Sequence, residues 1–137
     1  MEVVLVLLSN KGHSVLMKKD IPGYLFDYPS ISVGEMERPL DAGKKLVEEL
    51  NIKLKDNKLH FVREESTCTY NGNCRRTHVL CGRLDEDYDA KEEDLKFWVP
   101  VVTLDYFLQQ SERNGACYVY LYEACKLLSQ LEVWCFK

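Results

Sequence analysis

The chain has 137 residues, 46% of them hydrophobic and 29% charged, and a formal net charge of −4. That balance excludes a disordered polymer, and the length suffices for one domain, residues 1–137, to bury a core without covalent staples. The acidic excess argues against a surface made for non-specific nucleic-acid binding, while leaving room for a local basic patch.

The N-terminal run Val3–Leu8 is β-branched and leucine-rich. It is too short to cross a bilayer, no basic region precedes it and no small-residue cleavage site follows it, so it reads as a buried strand. No later segment is long enough to span a membrane; a soluble, cytoplasmic chain without a membrane partner is expected. Residues 9–13 are a turn signal and residues 14–19 a second strand, which together predict an N-terminal hairpin. Pro22 and Gly23 punctuate a loop that leads into a short extended piece, and residues 31–39 add another extended stretch and a turn.

Residues 41–54 carry the chemistry. Pro39 suits the first turn of a helix, and Asp41 lies near its positive end. Leu40, Gly43, Val47 and Leu50 recur at helical spacing with Leu46 beside them, and Asn51 suits a left-handed C-cap. Asp41, Lys45, Glu48 and Glu49 fall on the opposite, polar side. Positions 45, 48 and 49 are neighbours at i, i+3 and i+4. Three glutamates there would form one acidic surface for a hard cation; this chain has two, and an ammonium at position 45.

Two strand-like segments follow, "KLHFVREESTCTY" and "CRRTHVLCGRL", joined by the turn "NGN". Arg63, Arg75 and Arg76 lie on them and could contact phosphates. An acidic loop spans residues 85–94. Residues 95–101 form a strand that Pro100 ends or places at an edge. Residues 103–110 form a short helix capped by Thr103. Residues 115–136 form a C-terminal helix with Tyr118, Leu121, Tyr122, Cys125 and Leu128 on one stripe. This order describes a mixed α/β or α+β domain. Tyr24, Phe26 and Tyr28 alternate as core aromatics do, although they could also stack on a base. Trp98 reads as a core anchor, and His13, His60 and His78 receive no catalytic role. The six cysteines form no CxxC pair and no zinc-spaced cluster, so all are expected to be reduced thiols.

Residues 44–52, Lys-Lys-Leu-Val-Glu-Glu-Leu-Asn-Ile, resemble the second half of the box of the Nudix hydrolases, G-x5-E-x7-R-E-U-x-E-E-x-G-U with U a bulky apolar residue. The Glu-Glu pair and both apolar U positions are kept, whereas Lys44, Lys45 and Asn51 replace arginine, glutamate and glycine. Gly34-Glu35 look like the box Gly-Glu, with eight residues instead of seven before Lys44. Pro29-Ser30 stand where the family has Pro-Gly-Gly. Downstream, "KEEDLKFWVPVVTLDYFL" is similar to the family's acid, strand, Trp-Val-Pro and short-helix segment.

The resemblance covers most of the chain and implies a Nudix-like α/β/α sandwich with a mixed β-sheet. It implies hydrolysis of a nucleoside diphosphate linked to another group, with Mg2+ or Mn2+ as cofactor. Glu48 and Glu49 would be catalytic and metal-binding, with Glu35 or Glu37 as a further ligand and Glu92, Glu93 or Asp94 adding one from across the fold. Arg63, Arg75, Arg76 and Lys45 would bind the substrate. The alternative is a catalytically inactive Nudix-fold module that binds a nucleotide, RNA or a protein partner, or pairs as a homodimer. In that reading Lys44 and Lys45 ion-pair with Glu48 and Glu49.

Overall fold

A computed structural model describes residues 1–11, 14–20, 25–68, 72, 74–85, 96–100 and 114–135; at 18–20, 25–27, 67, 75, 96–97, 99–100, 114–119 and 131–135 it describes the backbone alone. In chain order the elements are β1 (Glu2–Leu8), β2 (Ser14–Asp20), β3 (Leu25–Asp27), β4 (Ser30–Ser32), α1 (Pro39–Glu49), β5 (His60–Cys68), β6 (Cys74–Arg83), β7 (Lys96–Pro100) and α2 (Asn114–Cys135). The expected short helix at 103–110 and the acidic loop, apart from Asp85, lie outside the described residues.

The strands form one mixed sheet in the order β3-β2-β1-β6-β5, with β4 added to β1 and β7 to β2. β1 runs parallel to β6 from Glu2↔Thr77 to Leu8↔Arg83. The expected N-terminal hairpin is only partly formed. β1 meets β2 at Leu8↔Val15, because β4 takes the first part of that edge through Glu2↔Ser32 and Val4↔Ser30. Residues far apart in sequence thus claim positions that local turn chemistry assigned to near neighbours.

The unbroken apolar run of β1 follows from burial on both faces, as strands with parallel neighbours commonly show. Val4, Val6 and Leu8 join Val15, Met17, Val79 and Cys81 beneath α2, whereas Val3, Leu5 and Leu7 join Leu16 and Leu80 beneath α1. Each such side chain, fully buried, contributes roughly 1.5–3 kcal/mol. The result is the expected three-layer α/β/α sandwich.

Helix α1 begins with Pro39 in its first turn and has Asp41 there to meet the dipole. It buries Ala42, Gly43, Leu46 and Val47, while Leu40 is 45% exposed. The expected stripe is therefore corrected at its first position: Leu40 looks outward and Ala42 inward. Gly43 permits close approach to the sheet, since a Cβ there would stand 2.8 Å from Leu80 and 2.9 Å from Leu59. Asn51 closes the helix at φ 61° as anticipated, with its N–H donating to Glu48 O and that of Ile52 to Val47 O. This pair of bonds is a Schellman cap.

Helix α2 is apolar around most of its circumference, so periodicity defined its inner face poorly. Tyr120, Leu121, Ala124 and Leu128 are buried, with Cys125 partly so, and Tyr122 is 61% exposed. Tyr28 is core, its ring 6.5 Å from that of Tyr120. Trp98 packs, partly buried, against the cluster beneath α1. The expectation of six reduced cysteines fails at one pair: Cys68 and Cys74, opposite each other across the β5–β6 hairpin, are disulfide-bonded. The sequence lacked the register that brings them together.

Candidate functional site

The polar face of α1 presents Asp41, Lys44, Lys45, Glu48 and Glu49 to solvent. Helical spacing places Lys45 one turn before both glutamates. Among the described residues the ion pairs are Arg63–Glu65, Arg63–Glu123, Arg76–Glu64 and the longer His78–Glu64 contact. The pairing of Lys44 and Lys45 with Glu48 and Glu49, on which the inactive-module alternative drew, is not formed. Both carboxylates and both ammoniums are exposed to solvent.

The loop before α1 is fastened to the start of β1. Val33 N–H donates to Met1 O at 2.8 Å, and the N-terminal ammonium donates to Val33 O at 3.1 Å. Glu37 N–H then donates to Gly34 O at 3.1 Å, forming a turn that leaves Glu35 and Glu37 exposed. Because β4 runs antiparallel to β1 and β6 runs parallel to it, this loop emerges at the end of the sheet where β6 begins.

Arg76 lies at that end. On β6, residues 76, 78 and 80 share a face by strand alternation, and Leu80 belongs to the cluster beneath α1. The Arg76 guanidinium donates from Nε at 3.0 Å and from Nη2 at 2.6 Å to Oε1 of Glu64. This bond holds the Glu64 carboxyl below its ordinary range and raises Arg76 further; the charge of Glu35 adds to the rise in Arg76. The box loop and the β5–β6 hairpin are thus within electrostatic reach of one another. His78 is buried beside this pair, with Nε2 3.9 Å from Glu64 Oε1 and Nδ1 without a hydrogen-bond partner among the described residues. Phe61, 54% exposed, sits with its ring centroid 6.4 Å from that of His78.

Arg63 faces the other way. Its guanidinium lies 3.3 Å from Glu65 and 3.2 Å from Glu123 of α2. The Arg75 side chain lies outside the described residues, as do Glu92, Glu93 and Asp94. Of the expected site residues, the structure places Glu48, Glu49 and Lys45 together on α1 and relates Glu35 to Arg76. It directs Arg63 to the opposite face. Among the described residues no three His, Cys, Asp or Glu side chains converge as a cation cluster. The Glu64–Arg76–His78 group escaped sequence reading because it depends on the register Glu64↔His78 and Ser66↔Arg76. A groove of about 430 Å3 opens between β5 and α2, lined by Phe61, Arg63, Glu64, Glu123, Lys126 and Leu127 among others.

No protein-family model and no curated protein matches the sequence. Solved structures do match. A Listeria monocytogenes protein assigned to the Nudix hydrolases has a TM-score of 0.67 at 12% identity, over 95% of this chain and 94% of its own. The E. coli dihydroneopterin triphosphate pyrophosphohydrolase has a TM-score of 0.63 at 15% identity, over 90% of this chain and 95% of its own. The C. elegans Ap4A hydrolase has a TM-score of 0.61 at 14% identity, over 93% of this chain and 96% of its own. The chain therefore has the Nudix hydrolase fold. The helix that carries Glu48 and Glu49 is the one whose sequence resembles the Nudix box.

Proposed function

We propose that the protein is a divergent Nudix-type hydrolase that cleaves a nucleoside diphosphate linked to another group with the help of Mg2+ or Mn2+. The observation that carries this reading is the Glu48-Glu49 pair, exposed and without an ion pair among the described residues, on the outer face of α1 within a Nudix fold. Two of the similar structures are named for Ap4A and for dihydroneopterin triphosphate, which favours a small substrate rich in phosphate.

The donor set suits the cation. Mg2+ is a hard ion that commonly takes one or two carboxylates and fills its remaining positions with water and substrate phosphate oxygens. Glu48 and Glu49 would hold it, with Glu35 as a further oxygen donor from the loop. When bound, such an ion polarises a phosphoryl oxygen and activates water. Arg76 would bind a phosphate near Glu35, and Lys45 another along α1. Lys45 also opposes the cation by its own charge, so weak metal affinity is expected. Arg75 would be a further phosphate contact. Arg63, engaged by two carboxylates, would have to leave them to serve. The test is metal-dependent product release across a panel of nucleoside diphosphate derivatives, with Glu48→Gln and Glu49→Gln as controls. Absence of release from the whole panel sinks the proposal.

A second reading is a nucleotide-binding module without hydrolysis. It is favoured by one observation: Lys44 and Lys45 are exposed and have no ion-pair partner among the described residues, which leaves them available to phosphate. Calorimetry with nucleotides in the absence of divalent cations separates the two, because only the binder retains full affinity there.

A further inference from the structure

We propose that Cys68–Cys74 is a reversible thiol–disulfide exchange site, open to a low-molecular-weight thiol, that tightens or loosens the hairpin end carrying Arg76. The placement of the bond argues for this. It joins two residues already paired in register at the last step of the β5–β6 ladder. A crosslink that closes so short and already paired a loop removes little further chain entropy. The chain has two apolar layers, one on each side of the sheet, that do not use the bond. Structural need therefore does not account for it.

Access does. Both cysteines are exposed, and exposed disulfides are the labile ones. Cys74 also shares a strand face with Arg76, two residues on, so the bond lies on the face that carries the Arg76–Glu64 clamp. The other described cysteines contrast with this pair. Cys81 is buried, and burial, with Cys125 nearby, pushes its thiol up to about 12; burial raises Cys125 as well. Of the cysteines whose side chains are described, the two at the hairpin end are the exposed ones.

In the exchange, an external thiolate attacks one sulfur, the Cys68–Cys74 bond breaks, and the second cysteine leaves as a thiolate that takes a proton. A second external thiolate then attacks the mixed disulfide and frees the first cysteine. Two external thiols leave as one disulfide, and the hairpin holds two thiols. The Ser66↔Arg76 pair sits one face-step from the bond, so the local consequence falls on the Arg76–Glu64 clamp. Any effect on substrate rests on the proposed function; the exchange itself does not.

The experiment equilibrates the intact protein in buffers of varied reduced and oxidised glutathione, quenches with iodoacetamide and maps the label by peptide mass spectrometry. Cys68 and Cys74 should gain label together as the buffer becomes reducing, while Cys81 and Cys125 stay unlabelled. Amide NMR signals should shift within residues 64–78 only, and Cys68→Ser/Cys74→Ser should abolish the dependence. Failure to reduce the bond in millimolar reduced glutathione would overturn the proposal, as would label on both cysteines in fully oxidised buffer. Shifts spreading through α1 and α2 would also overturn it, by making the bond a staple of the fold. None of these readouts needs turnover, so each stands or falls separately from hydrolysis.

Discussion

The hydroxyl of Tyr120 on α2 donates a 2.5 Å hydrogen bond to Oε2 of Glu65 on β5. The two residues are far apart in sequence, and the bond ties the C-terminal helix to the last strand of the sheet path. Arg63 reinforces it by reaching both Glu65 and Glu123. Tyr120→Phe keeps the buried ring and removes the donor to a charged acceptor. A loss of about 1.5–3 kcal/mol is expected, read as a lower urea midpoint at unchanged slope.

Gly43 sets the distance between α1 and the sheet. Gly43→Ala gains roughly 1 kcal/mol in helix propensity but inserts a methyl against Leu80 and Leu59, at 2.8 and 2.9 Å. Overpacking of this kind costs about 1–3 kcal/mol, so net destabilisation is expected. Gly43→Leu should be worse still. Chemical denaturation of the two variants gives the order; a stabilised Gly43→Ala would show that the leucines yield more easily than their burial implies.

Glu48 and Glu49 are exposed and make no ion pair among the described residues, so replacing either by glutamine should change stability by no more than about 0.5 kcal/mol. Metal-dependent hydrolysis should fall by at least about 10–100-fold, the loss typical even of groups that only support a metal ligand. Lys45→Glu should act in the opposite direction, tightening Mg2+ binding by calorimetry because a repelling charge becomes a third carboxylate. Unchanged affinity in Lys45→Glu would show that the ammonium is not the obstacle.

The Glu64–Arg76 pair predicts a pH dependence of definite sign. Glu64 titrates below its ordinary value of 4.5, chiefly through the Arg76 hydrogen bond. Its contribution is therefore present above that value and lost as pH falls through the depressed one. The melting temperature of the protein should exceed that of Glu64→Gln near neutrality, and the two should converge in acid. Added salt should narrow the gap, since both partners are exposed.

Much of the architecture was legible in the chain because local chemistry and burial agree. The apolar run at β1, Pro39 at the start of α1 and Asn51 at its end each have a local cause that the fold keeps. What stayed hidden depends on register or on faces that composition leaves undefined. Leu40 and Tyr122 are apolar yet point outward, and only the packing of each helix decides that. Cys68 and Cys74 are partners because the strands pair without slipping at their end. The Glu48-Glu49 pair was readable from spacing on one helix. Arg76 differs from Arg63 only through the faces of a sheet, which a linear sequence displays weakly around the irregularity between Phe61 and Arg63.

The parallel ladder between β1 and β6 also orders the events of folding. Glu2 finds its main partner at Thr77 and Leu8 at Arg83, so β1 is synthesised well ahead of the strand that fills its longest edge. Loop closure of that span precedes any reward from pairing, which slows folding. Until then six consecutive apolar residues, Val3–Leu8, lack their final cover. A nascent chain is thus exposed to aggregation at β1 until residue 83 has emerged, and a holdase chaperone would be expected to act on that strand.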